Sequence, residues 1–168
     1  LSGAMGAAFA APGRRAVLLE GDGSFMQNSQ ELATVAVTRL PLKIFLFSNE
    51  GYASIRMTQR GYVDGAYPGC DTSTGLGFPD WDLLFRAYGI PLFELGTDGL
   101  ATKGFSELFD APGPACFVLP IDPEQTYFPK ITSRVTATGS MESNPLHRMS
   151  PDLASDLARR VLRHLPIE

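Results

Sequence analysis

The stretch that decides the fold runs from residue 16 to residue 52 and begins Ala16-Val-Leu-Leu-Glu-Gly-Asp-Gly-Ser24. Its apolar run is bounded by turn residues, which is typical of a buried strand. Asn28-Ser-Gln-Glu31 is a capping-box pattern, and helical spacing follows it as far as Pro41. Leu42-Lys-Ile-Phe-Leu-Phe-Ser48 is bulky at nearly every position, which indicates a strand buried on both faces. The stretch therefore predicts a strand, a helix and a second strand of a parallel sheet.

Outside this stretch, strands and helices continue to alternate. The sequence predicts further strands at 92–95 and 115–119, and further helices at 52–60, 80–88 and 100–109. Such alternation is typical of α/β proteins, in which helices cover both faces of a parallel sheet. We therefore predict an α/β fold, a three-layer sandwich with a central parallel sheet.

The domain organisation follows from changes in composition along the chain. Residues 1–122 carry the alternating elements and are predicted to form one α/β domain, whereas residues 123–149 are rich in turn residues and are predicted to be an irregular arm. Residues 150–168 open with Ser-Pro-Asp and carry apolar residues at helical spacing, which predicts a C-terminal helix of the same domain. The small residues at 1–11 are typical of the remainder of a helix, so we expect an N-terminally truncated fragment of a longer polypeptide.

The composition excludes several classes of protein. The chain has 168 residues, 18 of them acidic and 14 basic, and a net charge of −4 gives no basic face for nucleic acid. A hydrophobic content of 44% is ordinary for a globular domain, and no apolar run approaches the roughly 20 residues of a membrane span. Cys70 and Cys116 lack the spacing of a metal site, so the sequence favours a reducing, cytoplasmic setting.

The first candidate site is the tetrapeptide Gly21-Asp22-Gly23-Ser24, which lies between the first strand and the first helix. An Asp-Gly pair is a common turn, and a plain turn is one interpretation. Ligands of open α/β sheets, however, bind outside the carboxyl ends of the strands, where glycine lets a ligand approach the backbone. In that second interpretation Asp22 holds a hard cation, and the amides near Gly23 and Ser24 face an anion.

The second candidate site, Asn49-Glu-Gly-Tyr52, ends the next strand. Asn49 offers an amide oxygen and Gly51 a backbone carbonyl, which together with the Asp22 carboxylate make three oxygen ligands at one edge of the sheet. Mg²⁺ takes about six oxygens and commonly shares them among protein, phosphates and water. The pattern predicts a magnesium-held diphosphate. A nucleotide-binding domain stays an alternative, although neither a GxGxxG nor a GxxxxGK[ST] pattern is present.

The paired motifs carry a family resemblance. Gly21-Asp-Gly-Ser-Phe25, Gln30-Glu-Leu-Ala-Thr34 and Asn49-Glu-Gly-Tyr52 resemble the cofactor-binding segment of thiamine-diphosphate enzymes, in particular the acetolactate synthase-like and 2-oxoacid decarboxylase group. The resemblance covers most of residues 1–122. Ser48 departs from it, because the family usually has a first Asn there, and residues 52–59 lack the Gln-Trp element of true acetolactate synthases.

The resemblance implies a thiamine-diphosphate-binding fold, with thiamine diphosphate and Mg²⁺ as cofactors. It implies that Asp22, Asn49 and the carbonyl of Gly51 bind the metal. The cofactor-binding residues that it implies are Gly21, Asp22, Gly23, Ser24, Asn49, Gly51 and Tyr52.

The resemblance also implies an activity for a larger enzyme. That enzyme decarboxylates a small 2-oxoacid and can ligate the product to a carbonyl acceptor. Its pyrimidine-binding domain, contributed by another subunit of a homo-oligomer, carries the activating Glu outside this chain, so no catalytic residue is assigned here and the isolated chain is expected to be inactive. The alternative is a non-catalytic assembly module that keeps the fold. Neither nucleic acid nor a membrane is an expected partner.

Overall fold

A parallel sheet of four strands forms the centre of the first of two units in the structure. The structure is a computed structural model that describes residues 1–62, 67–125 and 128–165. The units are Leu1–Gln125 and Thr126–Glu168, so the division falls close to the predicted start of the arm. The last helix, which was predicted to belong to the first domain, lies in the second unit together with the predicted arm.

The elements of the first unit follow the predicted alternation. They are α1 (Ser2–Ala10), β1 (Ala16–Gly21), α2 (Asp22–Phe25), α3 (Leu32–Val37), β2 (Leu42–Ser48), α4 (Ala53–Tyr62), α5 (Trp81–Ala87), β3 (Leu92–Glu94), α6 (Lys103–Asp110) and β4 (Ala115–Pro120). Short 3₁₀ turns lie at Met26–Glu31, Thr72–Thr74 and Gly99–Ala101. All four predicted strands are present within about a residue of their predicted ends, and Asp80 caps α5 as its position predicts, because its side chain accepts from the Leu83 amide at 3.0 Å.

The strand order in the sheet is β1-β2-β4-β3, and every neighbouring pair is parallel. Ala16 pairs with Leu42 and Gly21 with Phe47, so β1 and β2 end side by side. This register confirms the predicted parallel sheet. It also brings the residues that follow the two strands to the same edge.

The two faces of the sheet carry different cores, as a three-layer arrangement requires. One face packs Ile44, Leu46 and Val118 against the apolar residues of α1, α3 and α5. The other face is aromatic, with Phe45 and Phe117 stacked at 5.0 Å between ring centroids and covered by the phenylalanines of α6. Aromatic packing of this kind supplies large buried areas, which fix α6 on its face of the sheet.

A buried lysine interrupts the apolar face under α6. Lys43 is only 1% exposed, and its ammonium donates to the carbonyl oxygens of Leu108, Ala111 and Gly113 at 3.1, 2.8 and 3.0 Å. Burial is the main cause that lowers its pKa, and the three carbonyl oxygens partly replace the lost water. The lysine therefore supplies a donor to carbonyls at the carboxyl end of α6 and just beyond it.

Strand β1 is an edge strand and is only partly covered. Val17 and Leu19 point to the same face as Phe45 but are 50% and 66% exposed. An apolar edge strand with one open face invites association with other chains. In the parts of the chain that the structure describes, no helix has the length and apolar character needed to cross a membrane.

The helical segment after β1 corrects one prediction. The capping-box interpretation placed a helix start at Asn28, but helical structure begins six residues earlier at Asp22. Asn28 instead has non-helical backbone angles at a kink, and its side-chain oxygen is buried without a hydrogen-bond partner among the described residues. The prediction was wrong because the Gly-Asp-Gly segment itself turns into the helix.

The second unit contains more regular structure than an irregular arm implies. Strands β5 (Ser133–Val135) and β6 (Met141–Ser143) pair in an antiparallel hairpin, and α7 (Ser155–Val161) follows. The last helix was predicted to begin at Ser150-Pro151 but begins at Ser155 in the structure. The basic residues Arg159 and Arg160 lie in its last turn, where the helix dipole favours positive charge.

Candidate functional site

The two candidate motifs lie at the carboxyl edge of the sheet, as their sequence positions predict. Gly21 is the last residue of β1, and Asp22, Gly23 and Ser24 form the start of α2. The segment 49–52 follows β2, and α4 begins directly after it. Because β1 and β2 are parallel neighbours, a separation of 27 residues in sequence becomes direct contact in space.

Asp22 is the buried centre of this edge. It is 1% exposed, and its Oδ2 accepts the backbone amides of Asn49 at 2.9 Å and Glu50 at 2.7 Å. Its Oδ1 accepts the Gly23 amide at 2.7 Å. Burial raises the pKa of Asp22 above its ordinary value, although these backbone hydrogen bonds act in the opposite direction. The carboxylate therefore joins the two loops through hydrogen bonds from the protein alone.

The Asn49 side chain brings the three predicted metal ligands together. One end of its amide lies 2.8 Å from the Gly51 carbonyl oxygen and 3.0 Å from Asp22 Oδ1. As placed, that end is the amide oxygen, which then faces only other acceptors. In an octahedron with Mg–O bonds of about 2.0–2.1 Å, adjacent oxygens lie about 3 Å apart, so these separations fit one cation.

A second amide orientation satisfies the same atoms without a cation. Turning the Asn49 amide by 180° would place its NH₂ group between the Gly51 carbonyl and Asp22 Oδ1 as a donor to both. The site contains a single carboxylate, and no group of three or more His, Cys, Asp or Glu side chains that could hold a metal occurs within residues 1–62, 67–125 and 128–165. The donor set is thus one carboxylate, one amide and one carbonyl, which suits Mg²⁺ that keeps several outside ligands.

The glycine before Ser24 is required by the ring of Tyr52. A Cβ on Gly23 would lie 2.4 Å from Cε1 of Tyr52, so the ring packs directly on the glycine backbone. The Gly23 amide, which the sequence predicted to face an anion, donates to Asp22 instead. Ser24 is exposed at the same edge, where its hydroxyl donates to the Gly21 carbonyl at 3.1 Å.

The loop after β2 holds a strained residue. Glu50 has a φ of 57°, in the left-handed region that residues other than glycine rarely adopt. Its amide reaches Asp22 from this conformation at 2.7 Å. Strain of this kind persists only where surrounding contacts over-determine the backbone, and it is common at binding sites.

The residues behind Gly51 were not predicted from the sequence. The Tyr52 amide donates to the Cys70 carbonyl at 2.8 Å, and Gly51 forms an isolated antiparallel bridge with Asp71. Asp71 accepts from Ser73 and Thr74, and these bonds, with the nearby Arg56 charge, lower its pKa. The only signal in the sequence was an Asp followed by Thr three residues later, a turn pattern that does not reveal the long-range contact with Gly51.

Taken with the polar loops at its carboxyl edge, the parallel sheet defines an α/β ligand-binding domain. Residues 1–119 match the family described as thiamine pyrophosphate enzyme, C-terminal TPP binding domain. The chain belongs to this family, which confirms the resemblance inferred from the sequence motifs and identifies its cofactor class as thiamine diphosphate.

Curated relatives and solved structures agree with this assignment. The chain is 30% identical over 131 residues to acetolactate synthase isozyme 1 large subunit of Escherichia coli (strain K12), covering 78% of this chain and 23% of the relative. It is 31% identical over 139 residues to a probable chloroplastic acetolactate synthase 2 of Oryza sativa subsp. japonica, covering 79% and 21%. A thiamine diphosphate-dependent 4-hydroxybenzoylformate decarboxylase of Rhodococcus jostii RHA1 superposes with a TM-score of 0.65 at 26% identity, covering 74% and 23%. The chain spans less than a quarter of the length of each of these proteins.

Proposed function

We propose that the chain binds Mg²⁺ through Asp22, Asn49 and the Gly51 carbonyl, and that this cation holds the diphosphate of thiamine diphosphate. The observation that carries the proposal is the convergence of three groups, since one end of the Asn49 amide lies 2.8 Å from the Gly51 carbonyl oxygen and 3.0 Å from Asp22 Oδ1. With its amide oxygen at that end, Asn49 would complete a set of three oxygen ligands for one cation. The cation would take its remaining ligands from diphosphate oxygens and water.

The other predicted cofactor residues shape the approach to this cation. Gly21 has space where a side chain would lie, and Gly23 leaves room for the Tyr52 ring at the same edge. The exposed Ser24 offers a hydroxyl beside the first turn of α2. These residues would bind and orient the diphosphate end of the cofactor, whereas thiamine diphosphate itself supplies the carbon nucleophile and the electron sink.

For the full-length protein we propose decarboxylation of a small 2-oxoacid, with ligation of the product to a carbonyl acceptor as a further option. The acetolactate synthase relatives and the decarboxylase structure support this assignment. In this proposal the pyrimidine-binding domain of another subunit completes the site in a homo-oligomer and supplies the activating Glu. The chain described here anchors the cofactor, which fixes where its reactive carbon lies. The domain boundary at 122, the inactivity of the isolated chain and the cytoplasmic location stay predictions.

The proposal is tested by measuring thiamine diphosphate binding to the full-length protein with and without Mg²⁺, followed by a screen of 2-oxoacids for release of carbon dioxide. Asp22→Asn is the test variant, and Asp98→Asn, which changes an exposed carboxylate away from the site, is its matched control. We expect Mg²⁺-dependent binding in the wild type and the control but not in Asp22→Asn. Binding that ignores both Mg²⁺ and Asp22 would contradict the proposed site. Bound cofactor without turnover of any 2-oxoacid would favour the non-catalytic module.

A further inference from the structure

A buried arginine lies directly behind the proposed metal loop. Arg56, in the first turn of α4, is 7% exposed. Its Nη1 donates to the Pro123 carbonyl at 2.8 Å and contacts Glu124 Oε1 at 3.3 Å, and its Nη2 contacts Asp71 Oδ2 at 3.2 Å. The guanidinium thus joins the segment that follows β4 to the segment around Asp71.

The segment around Asp71 contacts the backbone of Gly51. Asp71 pairs with Gly51 in the antiparallel bridge, and the neighbouring Cys70 carbonyl accepts the Tyr52 amide at 2.8 Å. A Cβ placed on Gly51 would lie 2.5 Å from the Cys70 carbonyl oxygen and 3.2 Å from Nη2 of Arg56. The position that a side chain would take on Gly51 is therefore enclosed between a backbone carbonyl and the guanidinium.

Fold stability alone is a weak reason for a buried arginine at this position. Removing a guanidinium from water is costly, and apolar side chains of similar volume are often equally stable or more so. The Nε of Arg56 has no hydrogen-bond partner in the described part of the chain, so part of that cost is not recovered. What an arginine provides and an apolar side chain does not is a rigid fork that fixes several acceptors relative to one another.

We propose that Arg56 is a positioning residue for the Mg²⁺–diphosphate site, which it serves by holding the Cys70–Asp71 segment against Gly51 so that the Gly51 carbonyl points at the cation. This inference rests on the proposed function of the same loop. It assigns to Arg56 no contact with the cofactor. Its effect passes through the bridge between Asp71 and Gly51 and through the enclosure of the glycine.

The experiment measures thiamine diphosphate binding to the full-length protein as a function of Mg²⁺ concentration. For Arg56→Ala we expect the Mg²⁺ concentration at half-saturation to rise by about tenfold or more, as is typical when a group that orients a metal ligand is lost. Excess Mg²⁺ should restore binding, because the ligands themselves are retained. Arg56→Lys should lie between wild type and Arg56→Ala, since an ammonium keeps the charge but not the fork.

Arg60→Ala is the matched control. Arg60 lies in α4 and, like Arg56, pairs with Glu124, but its side chain is half exposed and it does not contact Asp71 in the structure. We expect its Mg²⁺ dependence to stay within about twofold of wild type, as for a surface ion pair. An Arg60→Ala effect as large as that of Arg56→Ala would overturn the proposal, because the shared Glu124 and not the Asp71 bridge would then be responsible.

A second variant separates positioning from folding. Asp71→Asn keeps an oxygen that can accept the Thr74 amide but removes the charge that pairs with Arg56. If Arg56→Ala fails to fold, Asp71→Asn should still show the raised Mg²⁺ requirement. A folded Asp71→Asn protein with the wild-type Mg²⁺ dependence would overturn the positioning role while leaving the metal site intact. If thiamine diphosphate binding to the wild type does not depend on Mg²⁺, that result would instead refute the proposed function, and the positioning role with it.

Discussion

Asp22 has two roles that a pair of substitutions can separate. Its Oδ2 accepts the amides of Asn49 and Glu50 and its Oδ1 accepts the amide of Gly23, all between 2.7 and 2.9 Å. The same carboxylate is the only charged ligand in the proposed metal site. Asp22→Ala removes both roles, whereas Asp22→Asn keeps an oxygen where Oδ2 lies and removes the charge.

The expected losses of stability follow from the number of amides left without an acceptor. Asp22→Ala leaves three amides without an acceptor, and each buried amide of this kind costs about 1–3 kcal/mol. The free energy spent on removing the carboxylate from water is regained, which offsets part of this loss. We therefore expect the free energy of unfolding to fall by about 2–4 kcal/mol in Asp22→Ala. Asp22→Asn loses only the Gly23 acceptor and should fall by about 1–2 kcal/mol.

Urea unfolding of the protein without ligands measures the first role, and Mg²⁺-dependent thiamine diphosphate binding measures the second. Both variants should lose Mg²⁺ affinity by more than the roughly 10–100-fold typical of residues outside the coordination shell. An Asp22→Ala protein as stable as the wild type would refute the role of Asp22 in joining the loops. An Asp22→Asn protein with unchanged Mg²⁺ affinity would refute its role as a ligand.

The pH dependence of the two roles should have opposite signs. Burial raises the pKa of Asp22, so its carboxyl group holds a proton more tightly in the folded protein without ligands than in the unfolded chain. This difference stabilises the folded protein at low pH, and the stabilisation is lost as the pH rises through the raised pKa. Mg²⁺ competes with the same proton, so its affinity should increase with pH over the same range, above the ordinary pKa of an aspartate. Calorimetric titrations at several pH values measure this slope. Asp22→Asn should show neither trend, and a slope that survives in this variant would assign the proton to another group.

Three further substitutions test the surrounding structure. Gly51→Ala should weaken Mg²⁺-dependent binding of thiamine diphosphate by about tenfold or more, because the new Cβ would lie 2.5 Å from a backbone carbonyl oxygen. Gly96→Ala, where the new Cβ has open space, should bind the cofactor as the wild type does, and equal binding by both variants would contradict the predicted clash. Lys43→Met should lower the free energy of unfolding in urea by about 2–4 kcal/mol, because three carbonyls lose their donor while the cost of burying an ammonium is recovered. The exposed Lys103→Met should change it by less than about 0.5 kcal/mol, and an equally small effect of Lys43→Met would show that water or a shift of α6 satisfies those carbonyls. Leu19→Lys should reduce self-association of the 168-residue chain in sedimentation experiments because it places charge on the open edge strand, and unchanged association would exclude β1 as the contact.

The sequence predicted the sheet well because its strands carry strong local signals. The apolar runs of β1, β2 and β4 are bounded by glycine, proline or polar turns, and a parallel sheet needs such runs. Helix starts were less predictable. The cap at Asp80 was correct, but the one at Asn28 was wrong, because helical structure begins at Asp22, whose side chain accepts amides from a loop that is distant in sequence.

The site was predictable where its residues follow strands and unpredictable where they meet through loops. Asp22 and Asn49 come together because the register of two parallel strands requires it, and a sequence shows that pattern directly. The contact of Arg56 with Asp71 joins a helix to a loop across 15 residues, and no periodic pattern encodes it. The buried hydrogen bonds of Lys43 could not be predicted for a similar reason, since its three acceptors lie about 65–70 residues further along the chain.

The pairing of Gly21 with Phe47 has a consequence for how the protein acquires its site during folding. A slip of one residue between β1 and β2 would displace Asn49 by about 3.3 Å along the strand and reverse the face of every side chain. The three oxygens could not then share a cation. Cation binding at the proposed site would therefore report native strand register, and in a refolding experiment a metal-sensitive signal should appear only once these two strands have paired correctly. Secondary structure that forms earlier, through local contacts, would give no metal-sensitive signal.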